Sequence, residues 1–188
     1  MSEWVVQVLT VAHVPQIVAL VAAGYETRER YVVSKQESEG ETAVWLRLEM
    51  LPAPVTRHWT PDEAAEVIYR RILRDEMGFG MFADGRLVAI ALTEEQPWNR
   101  TLWVWEFHVA PDYRGQGIGR QLMSHVAGVA RTLGMRTMVC ETQNWNVPAI
   151  RFYRAVGFAL EGIDLSYYTN EDLQPGGDVA LFMKRRLE

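Results

Sequence analysis

One segment constrains the fold of this chain most, because a strand, a glycine-rich joint and a helix follow one another directly. The strand-like run WVWEFHV covers 103–109, and the joint DYRGQGIGRQL covers 112–122. From Gly117 to Leu133 apolar residues recur at helical spacing, and Gly134 is placed to end that helix. Glycine permits backbone conformations and close approaches that a Cβ forbids. The joint therefore either turns the chain or holds a ligand.

The rest of the chain alternates between strand and helix signals. An Asp84-Gly85 pair between 80–83 and 87–93 predicts a hairpin. Thr60 is the expected cap of a helix that runs to about Glu76. Further strands are expected at 4–9, 31–35, 44–50, 137–141, 160–168 and 179–184, and further helices at 14–23 and 147–156. This order predicts a mixed sheet covered by helices.

Length and charge limit the class of protein. The 188 residues suit one domain, and a net charge of −5 favours a cationic small substrate over a nucleic acid. Cys140 is the only cysteine, which excludes an internal disulfide and a four-cysteine zinc site. No signal-peptide pattern or membrane-spanning apolar run is present in the sequence, so we expect a soluble cytoplasmic protein without membrane contact.

The segment RGQGIGR could belong to one of three kinds of phosphate-binding site. A P-loop needs Lys-Ser or Lys-Thr after its last glycine, and none follows here. A dinucleotide fingerprint fails too, because its third glycine would fall on Arg120 or Leu122. What remains is Arg114-x-x-Gly117-x-Gly119 at a helix N-terminus, where free N–H groups and arginines can hold a pyrophosphate. A glycine-rich turn that binds nothing is the alternative.

The joint resembles the acetyl-CoA-binding signature, R-x-x-G-x-G, of the GNAT N-acetyltransferases. A companion element of that family, N-x-x-A-x-x-F-Y-x-x-x-G-F, is similar to Asn146–Phe158. The segments at 98–100 (WNR), 141–146 (ETQNWN) and 162–168 (GIDLSYY) resemble those of streptothricin acetyltransferases.

The resemblance implies an α+β fold with α/β/α layers and a mixed, mostly antiparallel central sheet flanked by helices. It implies one GNAT domain over residues 1–188, with an acetyl-CoA-binding core at about 79–162. The implied reaction moves acetyl from acetyl-CoA, the co-substrate, directly to a primary amine of a small molecule, such as a streptothricin-like antibiotic. A homodimer is expected because many members of the family pair.

The chemistry needs a base for the amine and an acid for the CoA thiolate. Glu106 is the first candidate base, because it lies mid-strand among apolar and aromatic neighbours; Glu141, acting through a water, is the alternative. Tyr153 matches the family position of the acid. Cofactor contacts are expected at Phe107, His108, Val109, Arg114, Gly115, Gln116, Gly117, Ile118, Gly119, Arg120 and Asn146. Glu141 and Trp105 are candidates for binding the acceptor.

Other functions stay open at this point. The acceptor could be a protein N-terminus or lysine, or the chain could be a non-catalytic acyl-CoA-binding regulatory module. His108 alone on a strand is more often structural than catalytic. No metal site is predicted, because the histidines lack paired ligand spacing.

Overall fold

Nine strands and four α-helices form within residues 4–187, the part of the chain that the computed structural model describes. In chain order they are β1 (Val6–Val8), α1 (Val14–Ala22), β2 (Tyr25–Glu37), β3 (Thr42–Arg57), α2 (Glu63–Arg74), β4 (Gly78–Ala83), β5 (Arg86–Gln96), β6 (Thr101–Val109), α3 (Ile118–Thr132), β7 (Thr137–Gln143), α4 (Val147–Ala155), β8 (Ala159–Asp164) and β9 (Ala180–Arg186). None of the helices in this described part is long and apolar enough to cross a bilayer.

Contacts divide the chain into two units. The first contains the residues up to Gly24, residues 58–140 and the C-terminal residues from Arg185. The second contains Tyr25–Arg57 and Glu141–Lys184.

In the first unit the strands lie in the order β1-β4-β5-β6-β7. β1, β4, β5 and β6 pair antiparallel, and β7 pairs parallel to β6. The β4–β5 hairpin turns at Asp84 and Gly85, whose φ angles of 48° and 76° are left-handed. The predicted mixed sheet with flanking helices is confirmed.

The core of the first unit lies on both sides of β5. Consecutive strand residues point to opposite faces, yet every residue from Val88 to Leu92 is fully buried. Both faces are therefore covered. α2 contributes Tyr69, Ile72 and Leu73 to the buried set, and α3 contributes residues such as Leu122 and Val126. The apolar residues that recur at helical spacing in the sequence of α3 form this buried face.

A β-bulge interrupts β6 at its centre. Leu92 pairs with Glu106, while the next residue of β5, Thr93, pairs with Val104. Trp105 is thus the extra residue. A bulge shifts which side chains face each side of a sheet, and it places Glu106 and His108 on the same face as their partners Leu92 and Ile90.

In the second unit β2 and β3 form a separate antiparallel two-stranded sheet. The strands are longer than predicted, and β3 contains Pro52 and Pro54. The ladder skips from Thr27–Val55 to Glu29–Met50, so the prolines lie where no strand N–H is needed. β8 and β9 also pair antiparallel in this unit.

The predicted cap of α2 was wrong. Asp62, not Thr60, is the N-cap, and its Oδ1 accepts a hydrogen bond from the Ala65 amide at 2.9 Å. Because an Asp two residues further along caps the first turn, the helix begins at Glu63. It ends at Arg74, before the predicted Glu76.

Candidate active site

Glu106 lies directly after the β6 bulge and has a polar partner on each carboxylate oxygen. The Tyr69 hydroxyl of α2 donates to Oε1 at 2.5 Å, and Nε2 of His108 lies 2.7 Å from Oε2. Glu106 and His108 are two positions apart on a strand, so their side chains leave the same face. The carboxylate is therefore fixed by an adjacent helix and by its own strand.

Tyr69 is a buried phenol. Burial raises its pKa well above the ordinary value, and the negative charge of Glu106 together with their hydrogen bond raises it further. The phenol therefore stays protonated and donates. Sequence reasoning did not single out Tyr69, since nothing in the spacing shows which β6 residue this helix position reaches.

The glycine joint follows the end of β6 within the same unit. Gly115 and Gly117 have φ angles of 76° and 86°, which L-residues with a Cβ rarely adopt. Gly117 is the N-cap of α3, and a Cβ built on either glycine meets no atom within 4 Å. The first-turn N–H groups of a helix have no acceptor within the helix. The joint therefore presents open space beside amide donors at the positive end of α3.

The Arg114 side chain fixes the joint through hydrogen bonds to two backbone carbonyls. Its Nε donates to the Val109 carbonyl at 2.9 Å and its Nη2 to the Gly24 carbonyl at 2.8 Å. Gln116 donates to the Asp112 carbonyl at 2.9 Å. Ile118 is buried, so only its backbone can face a ligand. Contacts of Arg114, Gln116 and Arg120 with a cofactor stay predictions.

The second unit holds Asn146 and Tyr153. Asn146 caps α4, its Oδ1 accepting from the Ala149 amide at 3.2 Å. Tyr153 is buried, with ring centroids of Phe152 and Phe158 at 5.6 and 5.5 Å. Helix capping and ring packing account for these residue types, and their roles toward a cofactor stay predictions.

The two candidates for acceptor binding each have polar partners. Glu141, in the second unit, accepts a short hydrogen bond from the Tyr168 hydroxyl. Burial and the charge of Glu141 raise the pKa of that phenol well above its ordinary value. In the first unit, Trp105 Nε1 donates to Glu94 at 2.7 Å, and Arg71 pairs with the same carboxylate at 2.7 Å.

Comparison with known proteins places the chain in a family. The family model described as "Acetyltransferase (GNAT) family" matches residues 41–158. The chain belongs to the GNAT acetyltransferase family. The family and the class of enzyme predicted from the sequence are thus confirmed.

Individual GNAT proteins show how far the similarity extends. Streptothricin acetyltransferase of Streptomyces lavendulae is 42% identical over 101 residues, covering 54% of this chain and 52% of that protein. The match thus spans about half the length of this relative. A solved nourseothricin acetyltransferase has a TM-score of 0.80 at 28% identity and full coverage of both chains. A putative streptothricin acetyltransferase of Bacillus anthracis str. Ames, solved with acetyl coenzyme A, has a TM-score of 0.76 at 18% identity, with 98% and 99% covered, which shows a shared fold.

GNAT acetyltransferases use acetyl-CoA, which agrees with the cofactor predicted from the sequence. The joint fits such a group, because the left-handed glycines leave room beside α3 for a pyrophosphate. Pairing of β6 with β7 in the first unit covers only Thr101–Val104 and Thr137–Cys140, so the second half of β6 extends beyond it. Among residues 4–187, no three His, Cys, Asp or Glu side chains are placed to hold a metal ion.

Proposed function

We propose that this GNAT protein transfers acetyl from acetyl-CoA to a primary amine of a small molecule of the streptothricin type. The observation that carries the proposal is a carboxylate on β6, Glu106, in the same unit as an open glycine joint at the α3 N-terminus. Glu106 provides for deprotonation of the amine, and the glycine joint provides for binding of acetyl-CoA. The 42% identity with streptothricin acetyltransferase supports the acceptor class.

The amine must lose a proton before it can attack. An alkyl ammonium has a pKa of about 10.4, so at pH 7 roughly one molecule in 2,500 is the free amine, a penalty of about 4.6 kcal/mol. We propose Glu106 as the carboxylate on which this deprotonation depends; Glu141, acting through a water, is the alternative. Tyr153 is proposed as the acid that protonates the departing CoA thiolate.

A cationic acceptor suits the side chains of the second unit. Glu141 accepts a hydrogen bond from the Tyr168 hydroxyl, and the pKa of neighbouring Tyr167 is raised by burial and by the charges of Glu141 and Asp164. Carboxylates and aromatic rings both attract ammonium groups. We propose Glu141 as an acceptor-binding residue on this ground, and Trp105 as a second from its sequence position.

A direct test measures thiol release from acetyl-CoA by the full chain with three acceptors: a streptothricin-class antibiotic, free lysine and a peptide with N-terminal alanine. We expect turnover of the antibiotic, with mass spectrometry showing one added acetyl group. Preference for the peptide would indicate that the acceptor is a protein, not a small molecule. Tight acetyl-CoA binding without turnover of any amine would instead favour a regulatory module and refute the proposed function.

The same assay tests the base. Glu106→Gln should lower kcat by about 10²–10⁴-fold while acetyl-CoA still binds. Glu41→Gln, in the exposed β2–β3 loop, is the matched control and should turn over normally. A homodimer and a cytoplasmic location remain predictions, which gel filtration and cell fractionation would test.

A further inference from the structure

His108 forms the outer end of a hydrogen-bonded chain of three side chains. The chain runs from Tyr69 through Glu106 to His108, with separations of 2.5 and 2.7 Å. Exposure rises in the same order: Tyr69 is 2% exposed, and the side chains of Glu106 and His108 are 12% and 26% exposed. A group outside the protein therefore meets the imidazole more readily than the carboxylate.

Which imidazole nitrogen carries the hydrogen depends on the charge of Glu106. Tyr69 stays protonated and donates to Oε1, so Glu106 acts there as an acceptor. When the Glu106 carboxylate is ionised, both of its oxygens can only accept, and Nε2 of His108 is then the donor to Oε2. Nδ1 of neutral His108 then carries a lone pair. Within residues 4–187 the imidazole makes no other polar contact.

A base oriented by a partly buried carboxylate is the arrangement found in nucleophile-activating sites of many enzymes. We propose that Nδ1 of His108 is the atom that accepts the proton of the acceptor amine, and that Glu106 is a positioning residue that orients and stabilises the imidazolium. This rests on the proposed acetyl transfer and moves the direct contact with the amine from Glu106 to His108.

The proposed transfer begins with a proton on the acceptor ammonium. The ammonium gives one proton to Nδ1, and the free amine attacks the thioester carbonyl, forming the C–N bond. The C–S bond breaks, and the thiolate takes up the proton that the acylated nitrogen loses. The imidazolium then releases its proton to water. The products are the amide, CoA thiol and one proton.

Among the described residues of the first unit, Tyr69 is the titratable group that contacts the pair. α2 supplies Tyr69, with Asp62 and Glu66 acting on that phenol from a distance. β5 places uncharged Ile90 and Leu92 opposite His108 and Glu106. α1 contains no ionisable side chain.

α3 lies on the other face of the sheet. Its His125 packs against Phe79 at a centroid distance of 5.3 Å, and Phe79 pairs with Ala91, which pairs with Phe107. Cross-strand partners share a face, and Phe107 alternates with Glu106 and His108. His125 therefore lies on the opposite face of the sheet from His108.

The decisive variant is His108→Gln, whose amide Nε can still donate to Glu106 but cannot accept a proton. We expect kcat with the antibiotic acceptor to fall by about 100-fold or more, with little change in the KM for acetyl-CoA. The acid limb of the wild-type pH–kcat profile should disappear. His125→Gln, an exposed histidine on α3, is the control and should behave as wild type.

Chemical rescue separates proton transfer from a structural role. His108→Ala should regain turnover with added imidazole, and substituted imidazoles of similar size should rescue in the order of their basicity. Wild-type turnover by His108→Gln at all pH values, or rescue independent of basicity, would overturn the inference while leaving the proposed function intact. If wild-type protein acetylates no amine, the proposed function fails, and the inference with it.

Discussion

Replacing Gly117 by alanine isolates the left-handed backbone on which the joint depends. The φ angle is 86°, and an added Cβ meets no atom within 4 Å, so strain is the only local cost. A left-handed conformation costs an L-residue about 1–2 kcal/mol. The less flexible unfolded chain of the alanine variant returns about 0.4–1 kcal/mol. We expect a net loss of about 1 kcal/mol of unfolding free energy.

Gly128→Ala provides a control in the same helix. Gly128 lies inside α3, has no left-handed φ angle and also has open space at the Cβ position. Alanine there should gain about 0.8–1 kcal/mol from helix propensity. The two variants should thus shift the melting temperature in opposite directions, each by about 2–4 °C for a chain of this size.

Calorimetry measures two quantities for each variant: the free energy of unfolding and the affinity for acetyl-CoA. Relief of the strain at position 117 would turn amide donors away from the open space, so we expect about tenfold weaker acetyl-CoA binding in Gly117→Ala. Gly128→Ala should bind normally. Equal stabilisation by both alanines would refute the conformational argument. A destabilised Gly117→Ala with full affinity would refute the joint as the pyrophosphate site.

Two further predictions concern tyrosines. Tyr69→Phe removes a hydrogen bond to the Glu106 carboxylate and should lower the unfolding free energy by about 1.5–3 kcal/mol in urea titrations; Tyr113→Phe, whose ring packs on Trp4, should change it by less than about 0.5 kcal/mol. Burial and the charge of Asp178, opposed by Arg57, raise the pKa of Tyr25 to about 12, so the folded state holds this proton more tightly than the unfolded state, where the pKa is about 10. That stability is complete below pH 10 and is lost as pH rises toward 12, by at most about 1.4 kcal/mol per pH unit; Tyr25→Phe should flatten this decline, and an unchanged slope would contradict the assignment.

Sequence signals predicted the turns and helix ends that depend on the backbone conformation of one or two residues. The Asp84-Gly85 turn and the end of α3 near Gly134 depend on residues that accept positive φ angles, and both glycines adopt them, at 76° and 70°. The extent of β2 and β3 was not predictable in the same way. Pro52 and Pro54 usually end a strand, and β3 continues past them only because its partner skips those positions.

The surroundings of Glu106 could be predicted from the sequence only in part. Residues two apart on a strand share a face, so the position of His108 beside Glu106 agrees with their spacing on β6, although the two were not paired from the sequence alone. The contribution of Tyr69 depends on the docking of α2 across a separation of 37 positions, which no periodicity encodes. Tyr69 occupies Oε1 of the carboxylate as a donor, which leaves Oε2 to pair with Nε2 of His108. The docking of α2 thus determines which oxygen of Glu106 is left for the imidazole on β6.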